Sequence, residues 1–269
     1  MSLSTLATIL VFIFGACMGS FLNVVVWRLP RGEKLTGRSM CPHCGHTLDP
    51  VDLVPFLSFA LLKAKCRNCQ KKISPRYPLV ELTVGVLFVF TFLFLMPGTV
   101  LEWIFFARTI ILVFFLTAIF IIDLEHFLIL DSIILVGSVI LTVLNLVLDF
   151  YSGAKVFSLA SFGVGGIFAG LLAALPFFAI WFFSKGLYMG FGDVKLAIFL
   201  GIALGLKLVW VAVFLGVLLG GIVSIFLLFG YKKDLKTKLP FGTFLALGAF
   251  IAIFYGSPLL KWYLAILGI

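Results

Sequence analysis

Eight uninterrupted apolar runs limit what this chain can fold into. They lie at roughly 6–27, 79–97, 100–122, 127–148, 157–183, 194–206, 208–230 and 241–267. A hydrocarbon layer about 30 Å thick is crossed by about 20 apolar residues in a helix. The runs are continuous rather than alternating, which selects helices over a transmembrane barrel. Composition agrees: 63% of residues are hydrophobic, 12% are charged, and the mean hydropathy is +1.26. Soluble domains are about half apolar and a quarter charged, so a soluble globular domain is excluded. The fold class expected is an all-α polytopic membrane protein of about eight spans, with membrane lipid as its surroundings. The first run has no basic leader and no small-residue cleavage site, so it reads as a retained helix.

The formal charge of +9 does not point to nucleic acid. Sixteen of the twenty Lys and Arg residues fall in or beside segments 28–77, 123–126, 184–193 and 231–240. With eight spans these segments share one side, and the positive-inside rule makes that side cytoplasmic. Lys155, Lys207 and Lys261 fall on the other side, with both termini, while Arg108 lies inside a span. The sixth run is short. About 14 residues at 1.5 Å each reach only about 21 Å.

Segment 28–77 is the one substantial polar stretch, and at about 50 residues it is small for a self-sufficient core. It carries Cys41-Pro42-His43-Cys44 and Cys66-Arg67-Asn68-Cys69. Two C-x-x-C pairs supply the four soft ligands that Zn²⁺ takes at tetrahedral corners. Four thiolates leave no open coordination position, so the expected role is structural, with the metal standing in for a core. A metal-free dithiol pair is the alternative, and His43 and His46 are spare ligand candidates. Cys17, in the first span, reads as an inert buried thiol. Gly15 and Gly19 there form a small-xxx-small face suited to close helix packing.

Carboxylates inside lipid-length runs are costly unless used. The candidates are Glu81, Glu102, Asp123, Glu125, Asp131 and Asp193, with Arg108 and His126; Asp149 reads as a loop residue. Asp123 ends the third span and Asp193 begins the sixth, so topology alone brings both to one depth. Two close carboxylates can share a proton, one acting as base toward water and the other as acid toward the scissile group. Three readings stay open from spacing alone: helix caps, with Asp193 as an N-cap; an aspartic dyad; and an ion or proton pathway. Asp131 is a second possible partner for Asp193.

Gly190-Phe191-Gly192-Asp193-Val194-Lys195 matches G-x-G-D-x-K. Gly19-Ser20-Phe21-Leu22-Asn23 in the first span, the paired C-x-x-C knuckles, Arg76-Tyr77-Pro78-Leu79-Val80-Glu81, and Pro240-Phe241-Gly242 follow in order. Together these make the chain resemble the type IV prepilin peptidases, membrane aspartic proteases of the GxGD class. The resemblance implies that Asp123 and Asp193 are the catalytic pair. It implies a prepilin or pseudopilin substrate whose short basic leader is cut off at the cytoplasmic face of a bacterial inner membrane. It also implies methylation of the new N-terminus by S-adenosylmethionine, associated with the cytoplasmic loop. Leu130 and Thr243 stand where the family often has proline. No glycine-rich nucleotide loop is present, so the methyl transfer rests on the resemblance and on segment 28–77. Glu81 suits either a helix N-terminal carboxylate or a role toward substrate or methylation. Glu33, Asp49, Asp52 and Asp234 are available to meet a basic leader.

The expected organisation is a first span (1–27), a cytoplasmic zinc-binding domain and methyltransferase part (28–77), and a seven-span protease domain (78–269). The rival is a proton-coupled or ion transporter. Carriers place their sites near the midplane, and the one-sided aspartates argue against that reading.

Overall fold

The computed structural model describes residues 3–154, 158–159, 161–231 and 239–268. Asp234, Lys155 and most of the basic stretch before Pro240 lie outside them. The described residues form eight α-helices in chain order: α1 Leu3–Arg28, α2 Leu57–Leu61, α3 Arg76–Leu95, α4 Val100–His126, α5 Asp131–Ser152, α6 Gly163–Ser184, α7 Phe191–Tyr231 and α8 Phe241–Ile266. Seven of them are long and apolar enough to cross a membrane. Packing groups the chain into two compact units, Met1–Gly98 and Thr99–Ile269.

In the first unit α1 and α3 run antiparallel. A methyl group added at Gly15 would stand 2.9 Å from Gly85 Cα, and one at Gly19 would stand 2.7 Å from Glu81 Cα. The small residues singled out in the first span therefore let the two backbones meet, as close packing in lipid requires. Four residues further along, the Asn23 amide donates to the Tyr77 carbonyl at 3.1 Å. The Glu81 carboxylate is buried and accepts the Phe56 main-chain N–H at 3.0 Å. Glu81 thus anchors the polar segment to its own helix pair.

In the second unit α7 contains two of the expected apolar runs. Gly205 breaks it, with φ 73° and ψ 174°, a conformation open in practice only to glycine. Before the break α7 lies antiparallel to α6: Gly166 packs on Ile202 and Gly170 on Ile198. After it α7 lies antiparallel to α8: Gly256 packs on Leu208, Gly216 on Leu245 and Gly220 on Phe244. Since α8 opens beside Asp123, the chain runs away from the Asp123 end to residue 205 and then back toward it. The seven long helices therefore make eight passes. Contacts between α6 and the first half of α7 are close enough that a methyl group at Gly201 would stand 2.2 Å from Gly170 Cα.

Asp149 differs from the loop residue expected. It is fully buried in the last turns of α5 and accepts the Phe162 and Gly163 N–H groups, each at 2.8 Å. Those are orphan donors at the start of α6, and a carboxylate satisfies them where water is scarce.

Candidate active site

Two features place Asp123. It lies one turn before the end of α4, whose helix closes with Phe127 in the left-handed region. Its Oδ2 accepts the Thr243 main-chain N–H at 2.6 Å and the Thr243 hydroxyl at 3.1 Å. A β-carbon on Gly242 would stand 3.0 Å from the same oxygen. The start of α8 can approach the carboxylate this closely only because residue 242 has no side chain. Asp123 is 5% exposed.

Asp193 is the third residue of α7 rather than its N-cap, and its own N–H bonds to the Gly190 carbonyl at 3.2 Å. A β-carbon on Gly192 would meet Ile129 Cβ at 2.9 Å, and one on Gly242 would meet Ile129 Cδ1 at 3.0 Å. Ile129 therefore packs against both glycines and joins the segment bearing Asp193 to the segment holding Asp123. The structure thus brings together the pair singled out in the sequence.

Asp131, Glu125 and Glu102 have partners of their own. Asp131 is exposed and forms an ion pair with Lys195 at 2.5 Å, so it is the partner of the motif's lysine. Lys195 also stands over the Phe191 ring at 5.1 Å. Glu125 approaches His126 at 3.9 Å. Glu102 forms a reciprocal cap with Thr99 at the start of α4. Sequence reasoning missed Thr243 as a partner of Asp123. The signal available was its position directly after Pro240-Phe241-Gly242.

The four cysteine sulfurs of the first unit all lie within 4.8 Å of one another. Cys41 Sγ and Cys69 Sγ are 3.9 Å apart. A tetrahedral ion with Zn–S of about 2.3 Å places its sulfurs about 3.8 Å apart, so the set fits a metal centre. The two knuckles have one design. The Cys41 N–H bonds to His46 O and the Cys66 N–H to Lys71 O, each at 2.9 Å. Gly45 and Gln70, each four residues after a knuckle's first cysteine, turn through the left-handed region. His43 and His46 are not members of the four-ligand group. The main-chain N–H groups of Cys69 and Asn68 draw the Cys66 thiol down to about 7, while among the same sulfurs Cys69 is pushed up to about 11. Asp52, its side chain 3% exposed, receives two bonds from Arg67, at 2.7 and 3.0 Å. This clamps the short 3₁₀ turn Pro50–Leu53 to the second knuckle.

Known proteins match along most of the chain. Residues 13–95 match the bacterial peptidase A24 N-terminal domain, and residues 110–225 match the type IV leader peptidase family. A protein named prepilin leader peptidase/N-methyltransferase from Aeromonas salmonicida is 32% identical, over 95% of this chain and 93% of its own length. The protein of that name from Pseudomonas aeruginosa is 31% identical over the same shares. One from Myxococcus xanthus is 49% identical over 84 residues, 31% of this chain and 25% of its own. No solved structure matches. Identity of 32% over 95% of the chain, with residues 110–225 matching the family itself, makes this protein a member of the type IV leader peptidase family.

Proposed function

We propose that this protein cleaves the short basic leader from type IV prepilins or pseudopilins, with Asp123 and Asp193 as the catalytic dyad. The observation that carries this reading is the approach of the Gly192–Asp193 segment to Asp123 through Ile129 and Gly242. One carboxylate takes a proton from water, and the water oxygen attacks the scissile carbonyl carbon. The other carboxylate gives its proton to the departing amine as the C–N bond breaks. The pair titrates as a unit. Thr243 holds one oxygen of Asp123 in place through two donors. The rival transporter reading gains nothing from the structure, since the dyad lies at an end of its helices rather than midway along them.

We further propose that the four cysteines hold Zn²⁺, which cross-links two turns that have little core between them. The charge distribution supports an inner-membrane protein with residues 28–77 and the dyad end toward the cytoplasm.

Methylation of the new N-terminus is proposed from the names of the relatives, with residues 28–77 as the part concerned. S-adenosylmethionine is the donor expected. A cavity of about 460 Å³ in this segment is lined by Arg28, Lys34 and Arg38 against one carboxylate, Glu33, and has no aromatic ring in its lining. That lining does not fit a sulfonium cation bearing an adenine.

Cleavage and methylation are tested on the full-length protein in membranes, with a prepilin-like peptide and labelled S-adenosylmethionine. Release of the leader together with label on the new N-terminus is expected. Cleavage without label would leave a peptidase alone, and absence of cleavage would overturn the proposed function.

A further inference from the structure

The dyad depends on a helix that is too short to be held by its own length. Residues 191–204 carry Asp193 near one end and stop at the Gly205 break. A helix that stops inside an apolar bundle leaves its last carbonyls without partners, and lipid-like surroundings supply none. Two buried side chains answer this. Arg108 is 6% exposed and Asn145 is 0% exposed. The Asn145 amide donates to the Ile202 carbonyl at 2.9 Å. Arg108 Nη2 donates to the Ala203 carbonyl, and its Nε donates to Asn145 Oδ1 at 2.5 Å. The guanidinium is a rigid fork of donors, and its charge suits the negative end of a helix dipole. Each partner is a neutral acceptor.

Arg108 stands on α4, the helix that also bears Asp123. From Arg108 to Asp123 is about 22 Å along α4, and from Asp193 to Ala203 is about 15 Å along α7. Arg108 thus reaches the carbonyl end of the short helix from the helix that also bears Asp123.

We propose that Arg108, with Asn145, is a positioning residue that sets the axial place of helix 191–204 and so the approach of Asp193 to Asp123. This rests on the dyad reading. Arginine is used because it bonds a carbonyl and an amide oxygen at once; lysine, a single point donor, does not reproduce that fork.

The test uses the full-length protein in membranes and compares Arg108→Lys, Arg108→Met, Asn145→Leu and the Arg108→Met/Asn145→Leu pair, with Asp193→Asn as reference. Misplacement of a catalytic group by about 1 Å can cost about a hundredfold in rate. We expect kcat to fall about ten- to a hundredfold in each single variant with KM within about twofold, and the double variant to be no worse than the weaker single. Amide hydrogen exchange is read alongside, because it does not depend on the dyad chemistry. Exchange in residues 191–204 is expected to speed up in every Arg108 and Asn145 variant, with residues 241–256 unchanged. If Arg108→Met fails to accumulate, Arg108→Lys and Asn145→Leu carry both readouts. Unchanged kcat with an inactive Asp193→Asn, losses that multiply in the double variant, or unchanged exchange in 191–204 would each overturn the clamp. An active Asp193→Asn would instead overturn the dyad reading and leave the exchange result to judge the clamp by itself.

Discussion

At the scale of single residues, the site is defined by what is missing as much as by what is present. Gly242 leaves no room for a methyl group against Asp123 Oδ2. Gly242→Ala is therefore expected to lower peptidase kcat at least about tenfold while the protein still accumulates in the membrane, since the carboxylate must shift to admit the methyl. Thr243 separates two contributions. Thr243→Val removes the hydroxyl donor and keeps the N–H, so activity should fall about three- to tenfold; Thr243→Ser should restore it. Steady-state kinetics on the three variants check both statements. A short motif and the topology single out Asp123 and Asp193 in the sequence as the proposed pair. Thr243 and Asn145 acquire their roles from residues far along the chain, and Asp149 from main-chain N–H groups in the segment that follows it. Asp149 illustrates this: a carboxylate near a predicted loop looked solvated, yet it is buried and caps the helix that follows.

At the scale of elements, two structures carry strain or cross-links that can be removed one at a time. Gly205 turns α7 back through a conformation that costs other residues about 1–3 kcal/mol. Gly205→Ala should lower stability by about that amount, read as a lower midpoint of thermal unfolding in detergent. In the knuckle module, Cys41→Ser or Cys69→Ser should abolish stoichiometric zinc, read by elemental analysis of the purified protein; unchanged zinc would contradict the four-thiolate site. The Asp52–Arg67 clamp has a definite sign with pH. Arg67 holds the Asp52 carboxyl below the usual carboxylate range, so its contribution is present above about pH 4 and is lost as pH falls through the folded value. Limited proteolysis of segment 28–77 should accelerate below that range in the natural protein. Asp52→Asn should be cut faster at neutral pH and show a flatter acid dependence. The paired C-x-x-C motifs made the module legible. The sequence also shows a short sixth run, but not how its end is satisfied: the Arg108–Asn145 pairing depends on how α4 packs on α5 and α5 on α7.

At the scale of the whole molecule, the apolar runs made the helical membrane architecture and the number of passes legible. The single helix from Phe191 to Tyr231 blurs that count until its reversal at Gly205 is seen. The proposed orientation makes a direct prediction for intact cells. A cysteine placed at Lys207 should react with an impermeant thiol reagent added outside, whereas one placed at Glu33 should react only after the cells are opened. The opposite pattern would contradict the charge-based orientation. Such sidedness would put the dyad end where a basic leader enters, and the proposed cleavage rests on two carboxylates acting together. The most direct measurement is cleavage of a prepilin-like peptide by the full-length protein in membranes, comparing Asp123→Asn and Asp193→Asn with the natural chain at matched protein levels. Loss of leader release in both variants, with zinc content unchanged, is expected; full cleavage by either folded variant would contradict the aspartic dyad.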